Sequence, residues 1–285
     1  MMLRNNEHYL SYLFRCLDLV EEKNKEYKID YLFYTNNNDD NTLELLQNYS
    51  KGKENIEIIN KDYGVDFNKE NRLLRLYFLR QDFLEIIRSR MFDYILMLDT
   101  DIYFNEKMIR RSIEIMKEKK LNTFSANTLA HNNPFYYDLF SLSDKNNKGY
   151  TTNILSDRKL LSFHLSTLFN RDKIQKVGSC FGGFFITTKE VIDDRNNNYF
   201  VDKKDIDIKV CEHKIFNKNL EINFANNINP YRIDTPEKRK KAAESAMKII
   251  EKNECDNRFF FYFFFQYIGP VLLIILAIYI YFKYR

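Results

Sequence analysis

The chain is poor in cysteine and in the basic patterns that mark several common classes of protein. Its 285 residues include only Cys16, Cys180, Cys211 and Cys255, and no two of them form a Cys-x-x-Cys pair. This spacing indicates neither a zinc site nor a disulfide framework, and reduced cytosol is the expected setting. No basic stretch is interleaved with aromatic residues and the net charge is only +4. We therefore expect no nucleic-acid partner.

The first ten residues, MMLRNNEHYL, contain no long apolar run. No signal peptide is therefore expected. The composition is 45% hydrophobic and 16% aromatic, which is not that of a disordered chain. A chain of this length can bury a sizeable core as one large domain or two small ones.

Charge is absent from one long stretch, residues 259–282, which reads FFFYFFFQYIGPVLLIILAIYIYF. At about 1.5 Å per residue, a helix of this length spans roughly 36 Å, enough for a hydrocarbon core of about 30 Å. Seven basic residues lie between positions 238 and 258, and only Lys283 and Arg285 follow the stretch. The charge bias predicts a single-pass C-terminal membrane anchor, viral or in a host endomembrane, with the rest of the chain in the cytosol.

The pattern before residue 105 alternates between helical and extended segments. Apolar residues at Leu10, Leu13 and Leu17 predict a helix within residues 5–28. Strands are predicted at 29–35, 55–60 and 94–98, and further helices at 42–49 and 71–90. This rhythm is typical of an α/β domain with a mostly parallel sheet flanked by helices.

The segment YILMLDTDIYF, residues 94–104, places Asp99 and Asp101 at the end of an apolar strand. Two carboxylates this close repel each other unless a cation lies between them. Ligands of open α/β sheets bind beyond the carboxyl ends of such strands, and Mg²⁺ and Mn²⁺ prefer oxygen ligands. The pair could hold a divalent ion and a phosphate, or it could merely begin a helix and face solvent.

Arg80 falls on the apolar stripe of the predicted helix at 71–90, between Tyr77 and Leu84. A buried arginine needs a carboxylate, phosphate or carbonyl partner. The pattern leaves two alternatives open, a ligand contact and an arginine that pairs or snorkels within the protein.

Seven segments in this order resemble the GT-A class of glycosyltransferases over residues 4 to about 232. They are similar, in particular, to the fungal capsule-associated α-mannosyltransferases and related membrane enzymes. The segments are RNNEHYL, YLFYTNNNDDNT, NRLLRLYFLRQ, ILMLDTDIYF, PFYYDLFSLSD, GSCFGGFFIT and CEHKIFNKNL.

The resemblance implies a nucleotide-sugar site in the first half of the domain, about residues 1–105. Arg4 and Asn5 would lie in the first nucleotide-facing loop, and Asp40 would contact the base or ribose. Arg80, in the ligand alternative that its position on the helix leaves open, would bind the same donor. Asp99 and Asp101 would hold the diphosphate through Mn²⁺ or Mg²⁺. Asp40 could instead simply cap the helix that begins at Thr42.

The second half, about residues 106–232, would bind the sugar and the acceptor. Tyr137 and Asp138 match an element near the sugar, and Gly182 and Gly183 would let the backbone approach donor or acceptor. Glu212 matches an acidic residue that faces the acceptor and is the candidate base if the reaction inverts. The structural alternatives are a turn at Asp138, a bulge at the glycines and a solvated Glu212.

His213 is the remaining assigned residue, as a third metal ligand or an acceptor contact. The resemblance predicts a catalytic domain over residues 1–232, and the composition predicts a charged helical linker over 233–258 and the anchor over 259–282. The expected enzyme is a metal-dependent glycosyltransferase, and the resemblance favours a mannosyltransferase. It would move a sugar from a UDP- or GDP-sugar to a hydroxyl on a glycan, protein or lipid.

Two other classes remain open. One is a non-catalytic, degenerate transferase displayed on a membrane. The other is a haloacid-dehalogenase-type phosphatase, in which the first aspartate of LDTDIYF would be the nucleophile. That motif usually lies on the first strand, whereas here other predicted strands precede it.

Overall fold

The computed structural model describes residues 1–130, 133–150, 157–170, 172–199 and 210–232. Within these ranges no helix combines the length and apolar character needed to cross a membrane. The predicted linker and the predicted anchor lie outside the described residues.

The order of elements begins with the predicted alternation of strands and helices. The strands are β1 (Met2–Leu3), β2 (Tyr31–Asn36), β3 (Ile56–Lys61), β4 (Tyr94–Leu98), β5 (Ile102–Tyr103), β6 (Thr123–Ala126), β7 (Leu129–Ala130), β8 (Asn133–Tyr136), β9 (Ile174–Val177), β10 (Phe184–Thr188), β11 (Ile222–Ala225) and β12 (Tyr231–Arg232). The helices are α1 (Glu7–Lys23), α2 (Thr42–Ser50), α3 (Gly64–Phe67), α4 (Arg72–Arg88), α5 (Glu106–Lys119), α6 (Arg158–Phe169), α7 (Lys189–Asp193) and α8 (Glu212–Phe216).

The first sheet is parallel, in the order β1-β2-β3. Helix α1 packs on it because its apolar residues recur every three or four positions and form one buried face. The first strand has two residues only, and it pairs with Tyr34 and Thr35 of β2. The carboxyl ends of β1, β2 and β3 therefore lie at one edge of this sheet.

The second sheet has the order β4-β10-β6-β11-β9 and is mixed. Strand β10 runs antiparallel to both β4 and β6, and β9 runs antiparallel to β11. The expectation of a mostly parallel sheet therefore holds for the first sheet, whereas the second is mixed. Hydrophobic pattern predicts that a segment is a strand but carries no information on its direction.

Both faces of the second sheet are buried. On β10, Phe184 and Ile186 belong to one apolar cluster and Phe185 to another, because successive side chains point to opposite faces. Met97 and Leu98 divide in the same way on β4. Burial on both sides explains the continuous apolar runs in these strands.

A third, small sheet has the order β5-β12-β7-β8. It begins immediately after Asp101 and pairs β5 with β12, more than 120 residues later in the chain. The sequence pattern did not predict it, since strands of two residues are too short to show an alternation. This sheet brings the last described residues to the aspartate pair.

Candidate active site

Asp99 lies directly after β4, at the carboxyl end of an edge strand of the second sheet. Its backbone N–H donates a hydrogen bond of 2.9 Å to the carbonyl of Gly183, at the start of β10. Burial raises the pKa of Asp99 to about 7, and the neighbouring carboxylates of Asp101, Asp138 and Glu212 act in the same direction, while Arg80 opposes them. The carboxylates of Asp101, Asp138 and Glu212 are thus near enough to influence the charge of Asp99.

Asp101 forms an ion pair that the sequence analysis missed. Its Oδ2 accepts a hydrogen bond of 2.9 Å from Nε of Arg232, on β12. The guanidinium group also lies 4.7 Å from the centre of the Tyr137 ring. Only the pairing of β12 with β5 brings Arg232 here, and no signal in the sequence marks it.

The glycine pair admits the backbone where a side chain would not fit. Gly182 and Gly183 have φ angles of +59° and +69°. A Cβ at Gly183 would lie 2.5 Å from Cγ1 of Ile102, and one at Gly182 would lie 2.8 Å from the Tyr136 ring. The N–H of Gly182 is 3.4 Å from Oδ2 of Asp138. Both glycines are thus required by conformation and by space, beside Asp99 and Asp138.

Asp138 and Tyr137 line the same region. Burial raises the pKa of Asp138, although Ser141 and the N–H of Gly182 donate to its carboxylate. The backbone N–H of Tyr137 donates to the carbonyl of Thr128, which holds the segment against the chain that follows β6. The predicted sugar-side element therefore meets the aspartate pair and the glycines in space.

Arg80 and Glu212 form a buried ion pair. Nε of Arg80 donates a hydrogen bond of 2.9 Å to Oε1 of Glu212, and its Nη2 lies 3.9 Å from Oδ1 of Asp99. The Phe181 ring lies 4.8 Å from the guanidinium carbon. Burial opposes the ionisation of Glu212, but His213 and Arg80 outweigh it and lower the pKa of Glu212 to about 2. Arg80 therefore connects the predicted metal side to the predicted acceptor side.

His213 is not assembled with the aspartates as a metal site. Its ring stacks on Phe181 with 3.7 Å between centroids, and its Nε2 lies 3.4 Å from Oε1 of Glu212. Burial, followed by the charge of Arg80, lowers its pKa well below the usual range. Within the described ranges, no three His, Cys, Asp or Glu side chains form a group that could hold a metal ion. His213 packs on Phe181, and its roles as a third metal ligand or an acceptor contact both stay predictions.

Arg4 and Asn5 lie in the loop after β1, against the loop after β2. Nε of Arg4 donates a hydrogen bond of 3.2 Å to the carbonyl of Asn37, and its Nη2 lies 3.7 Å from the carboxylate of Asp39. Asn5 adopts a positive φ of 52° and exchanges hydrogen bonds with Asp39. The two loops form one polar surface at the carboxyl edge of the first sheet.

Asp40 links the starts of two helices. Its Oδ1 accepts a hydrogen bond of 2.9 Å from the N–H of Thr42, and its Oδ2 accepts one of 3.1 Å from the N–H of Glu7. These bonds outweigh the effect of burial and lower the pKa of Asp40. The capping alternative is thus present in the structure, and the contact with base or ribose stays a prediction.

A second carboxylate, Asp82, was not singled out from the sequence. It accepts hydrogen bonds from Tyr34 and from Tyr63, the latter at 2.7 Å, and Lys61 lies 2.6 Å away. These contacts fasten the ends of β2 and β3 to α4, the helix that also carries Arg80. Asp82 therefore supports the loops at the edge where the site lies.

The comparisons with known proteins identify a fold but no family. No family model matches the chain, and neither does any curated protein sequence. Residues 1–349 of TarS from S. aureus, solved in complex with UDP, match with a TM-score of 0.50 and 13% identity, over 87% of this chain and 62% of that one. A longer S. aureus TarS structure matches with the same TM-score and identity, over 87% of this chain and 38% of TarS.

The chain is thus a mixed α/β protein that shares its fold with these TarS structures. It spans less than two thirds of these two TarS chains. At 13% identity the likeness concerns the fold alone. The aspartate pair, the glycines and the Arg80–Glu212 pair lie where strands β4 and β10 meet, at the edge at which α/β folds bind ligands.

Proposed function

We propose that the protein is a metal-dependent glycosyltransferase that moves a sugar from a nucleoside-diphosphate sugar to a hydroxyl acceptor. The observation that carries the proposal is the position of Asp99 and Asp101, at the carboxyl end of β4 between two arginines, on a GT-A-like fold. The crystal structure of TarS in complex with UDP supports the donor class. The phosphatase alternative has less support, because this fold is not the one it requires.

The donor set fits a hard divalent cation. Asp99 and Asp101 supply carboxylate oxygens, and their acidic surroundings include Asp138 and Glu212. Mn²⁺ or Mg²⁺ would be held by the two aspartates together with phosphate oxygens of the donor. Such an ion would act as a Lewis acid that neutralises the charge of the departing diphosphate.

Two arginines would contact the donor phosphates. Arg232 is about one third exposed at its side chain and is held by Asp101 and by the Tyr137 ring. Arg80 is nearly buried and points its Nη2 towards Asp99. A guanidinium group matches the geometry of phosphate oxygens, and the two cations offset the charge of a diphosphate. The loops that carry Arg4, Asn5 and Asp40 would then bind the nucleoside.

Glu212 is the proposed base if the reaction inverts. Its low pKa means that it is a carboxylate at neutral pH, as a base requires, but its pair with Arg80 makes it a weak one. It would accept the acceptor proton only when Arg80 turns to the donor phosphates. Tyr137, Asp138 and the backbone at Gly182 and Gly183 would position the sugar between the two groups.

The finer assignment concerns the sugar and the acceptor. The resemblance to fungal α-mannosyltransferases favours GDP-mannose, whereas the TarS neighbours favour a UDP-sugar. The acceptor would be a glycan, a protein or a lipid at the membrane in which residues 259–282 are proposed to lie. A degenerate, non-catalytic transferase would bind the donor and show no turnover.

The test is thermal melting of the full chain in detergent with UDP, GDP, UDP-GlcNAc and GDP-mannose, each with and without Mn²⁺. A ligand at 100 times its Kd adds about 2.7 kcal/mol of stability, which shifts the melting temperature measurably. We expect a Mn²⁺-dependent shift with one nucleotide that Asp101→Asn abolishes. Asp66→Asn, at an exposed carboxylate in α3, is the matched control.

If no nucleotide shifts the melting temperature with Mn²⁺, the proposal fails. If one shifts it but no sugar is transferred to any hydroxyl acceptor or to water, the non-catalytic alternative is correct.

A further inference from the structure

A basic surface lies at the edge of the second sheet that is remote from β4. It surrounds a pocket of about 240 Å³ between the loop before α6, the helix itself and β9. We call it the lysine face. It consists of Lys145, Lys159, Lys173 and Lys176 around the pocket, and of Arg158, Leu165 and Phe169 on the outer side of α6.

Apolar side chains border this pocket on its solvent side. Phe169 is 61% exposed and Leu165 is 41% exposed. Ser162 and Ser166 of the same helix line the pocket wall. At about 100° per residue, Leu165 and Phe169 lie next to these serines around the helix axis and continue the pocket rim outwards. An exposed aromatic residue beside clustered lysines is typical of a helix that lies in a membrane interface.

The charge of the pocket is positive. Four lysines and one acidic residue, Asp144, line it. Lys159 pairs with Asp144 at 3.3 Å, and Lys176 pairs with Glu221 at 2.7 Å. In the part of the chain that is described, Lys145 and Lys173 form no ion pair. An anionic group can therefore enter the pocket and meet two cations that are not neutralised.

The chain passes next to this surface shortly before the described residues end at Arg232, which pairs with Asp101 at the candidate active site. The Nδ2 of Asn226 donates hydrogen bonds to the carbonyls of Ser166 and Asn170, at 2.9 and 2.7 Å, at the end of α6. Asn227 contacts Asp172 at 3.4 Å. Five residues later the described chain ends at Arg232, which is within about 18 Å of that contact. The 53 residues that follow contain the charge-free stretch 259–282 and seven basic residues before it.

We propose that the lysine face docks on the surface of an anionic membrane. The lysines would meet lipid phosphates, and Phe169 and Leu165 would enter the boundary between head groups and acyl chains. The occupant is a lipid surface because two lysines without an ion pair among the described residues and two exposed apolar side chains, Leu165 and Phe169, lie together on one face. The proposal does not depend on the chemistry at Asp99, because it concerns the opposite edge of the sheet.

The chain contains no tryptophan, so a single introduced tryptophan is a unique reporter. The test uses the full chain with Phe169→Trp, mixed with vesicles of phosphatidylglycerol or of phosphatidylcholine, each with and without brominated acyl chains. The matched control is Met91→Trp, at a residue that is 93% exposed just before β4, the opposite edge strand. Tryptophan emission reports whether position 169 itself enters the bilayer, even when another part of the chain also binds the vesicle.

On phosphatidylglycerol we expect the emission of Phe169→Trp to shift to the blue and to be quenched by bromine. On phosphatidylcholine, and for Met91→Trp on either lipid, we expect neither effect. Adding Lys145→Glu and Lys173→Glu to Phe169→Trp should abolish the shift, and so should high salt, because both remove the attraction between the lysines and the lipid phosphates.

Three results would overturn the proposal. The first is an unchanged emission of Phe169→Trp on phosphatidylglycerol. The second is an equal blue shift on phosphatidylglycerol and phosphatidylcholine, or a blue shift that remains after Lys145→Glu and Lys173→Glu. The third is a blue shift that soluble polyphosphate or increasing protein concentration produces without vesicles, which would assign the face to an anionic polymer or to a second copy of the chain.

Discussion

Arg80 and Glu212 are 132 residues apart in the chain, and their side chains form a buried ion pair of 2.9 Å. The pair joins α4, in the first half of the domain, to α8, in the second. On its other side the same guanidinium group faces Asp99 at 3.9 Å. One cation thus contacts the carboxylates of both proposed half-sites.

Breaking this pair should be costly. Arg80→Met leaves Glu212 buried without its cation, and we expect the free energy of unfolding to fall by about 3–5 kcal/mol. Urea denaturation measures the loss. Arg90→Met is the control, because its pair with Glu57 is about 45% exposed at both side chains and should contribute less than about 1 kcal/mol.

The double variant Arg80→Met/Glu212→Leu separates pairing from packing. With both charges removed, we expect most of the stability to return, since an apolar pair of similar volume has no desolvation cost. A double variant as unstable as Arg80→Met alone would show that the loss came from packing on Phe181 rather than from the uncompensated charge.

Gly183→Ala should damage the fold and the site together. The substitution meets a positive φ and a Cβ position 2.5 Å from Ile102. We expect it to destabilise the protein by at least about 2 kcal/mol, and to weaken nucleotide binding because the Asp99 backbone is bonded to Gly183.

Gly52→Ala isolates the conformational part. Gly52 has a φ of +75°, and nothing lies within 4 Å of its added Cβ. Its expected cost is about 1 kcal/mol, with unchanged nucleotide binding. Equal losses of stability in Gly183→Ala and Gly52→Ala would mean that Ile102 moves away from the added Cβ without a measurable cost.

Asp99→Asn should separate stability from function. The carboxylate lies near those of Asp101, Asp138 and Glu212, so a neutral amide removes repulsion between like charges. We expect a melting temperature equal to or above that of the wild type, together with the loss of Mn²⁺-dependent nucleotide binding. A lower melting temperature with intact binding would assign Asp99 a structural role.

His164 should make the fold sensitive to acid. The ring is fully buried, and burial lowers its pKa to about 4 from the usual 6.5. Between these values the unfolded chain binds a proton that the folded chain does not, so stability falls as the pH drops from about 6.5 to 4. The loss from this group is up to about 3 kcal/mol. This loss of stability should vanish well above pH 6.5, where neither the folded nor the unfolded chain binds the proton.

The measurement is urea denaturation at several pH values in wild type and in His164→Gln. The variant should show a shallower decline between pH 6.5 and 4, whatever its stability at pH 7. His8→Gln, which removes an exposed imidazole, controls for the loss of a histidine as such. Parallel declines in wild type and His164→Gln would contradict the assignment.

Local pattern was sufficient for most elements of the first half. The spacing of Leu10, Leu13 and Leu17 predicted α1, and their burial confirms it. The strand at Tyr94–Leu98 and the position of Asp99 after it also agree with the pattern. These features depend on the period of 3.6 or 2 residues between apolar side chains, which a single sequence displays.

The direction of β10, the small sheet at β5 and β12, and the pairing of Arg232 with Asp101 were not predictable in this way. Each depends on two segments that are 80 to 130 residues apart and on strands as short as two residues. The same holds for Phe181, which packs against both Arg80 and His213. The sequence offered His213 as a metal ligand or an acceptor contact and did not indicate its stacking on Phe181.

The sequence by itself determined most helices and strands of the first half, which carboxylates end an apolar strand, and where an apolar stretch without charge lies. Only the tertiary structure decided which charges meet: Arg80 with Glu212, and Arg232 with Asp101. The physical reason is that secondary structure follows from neighbours within about four residues. A buried ion pair follows from how elements pack, and packing is a property of the whole chain.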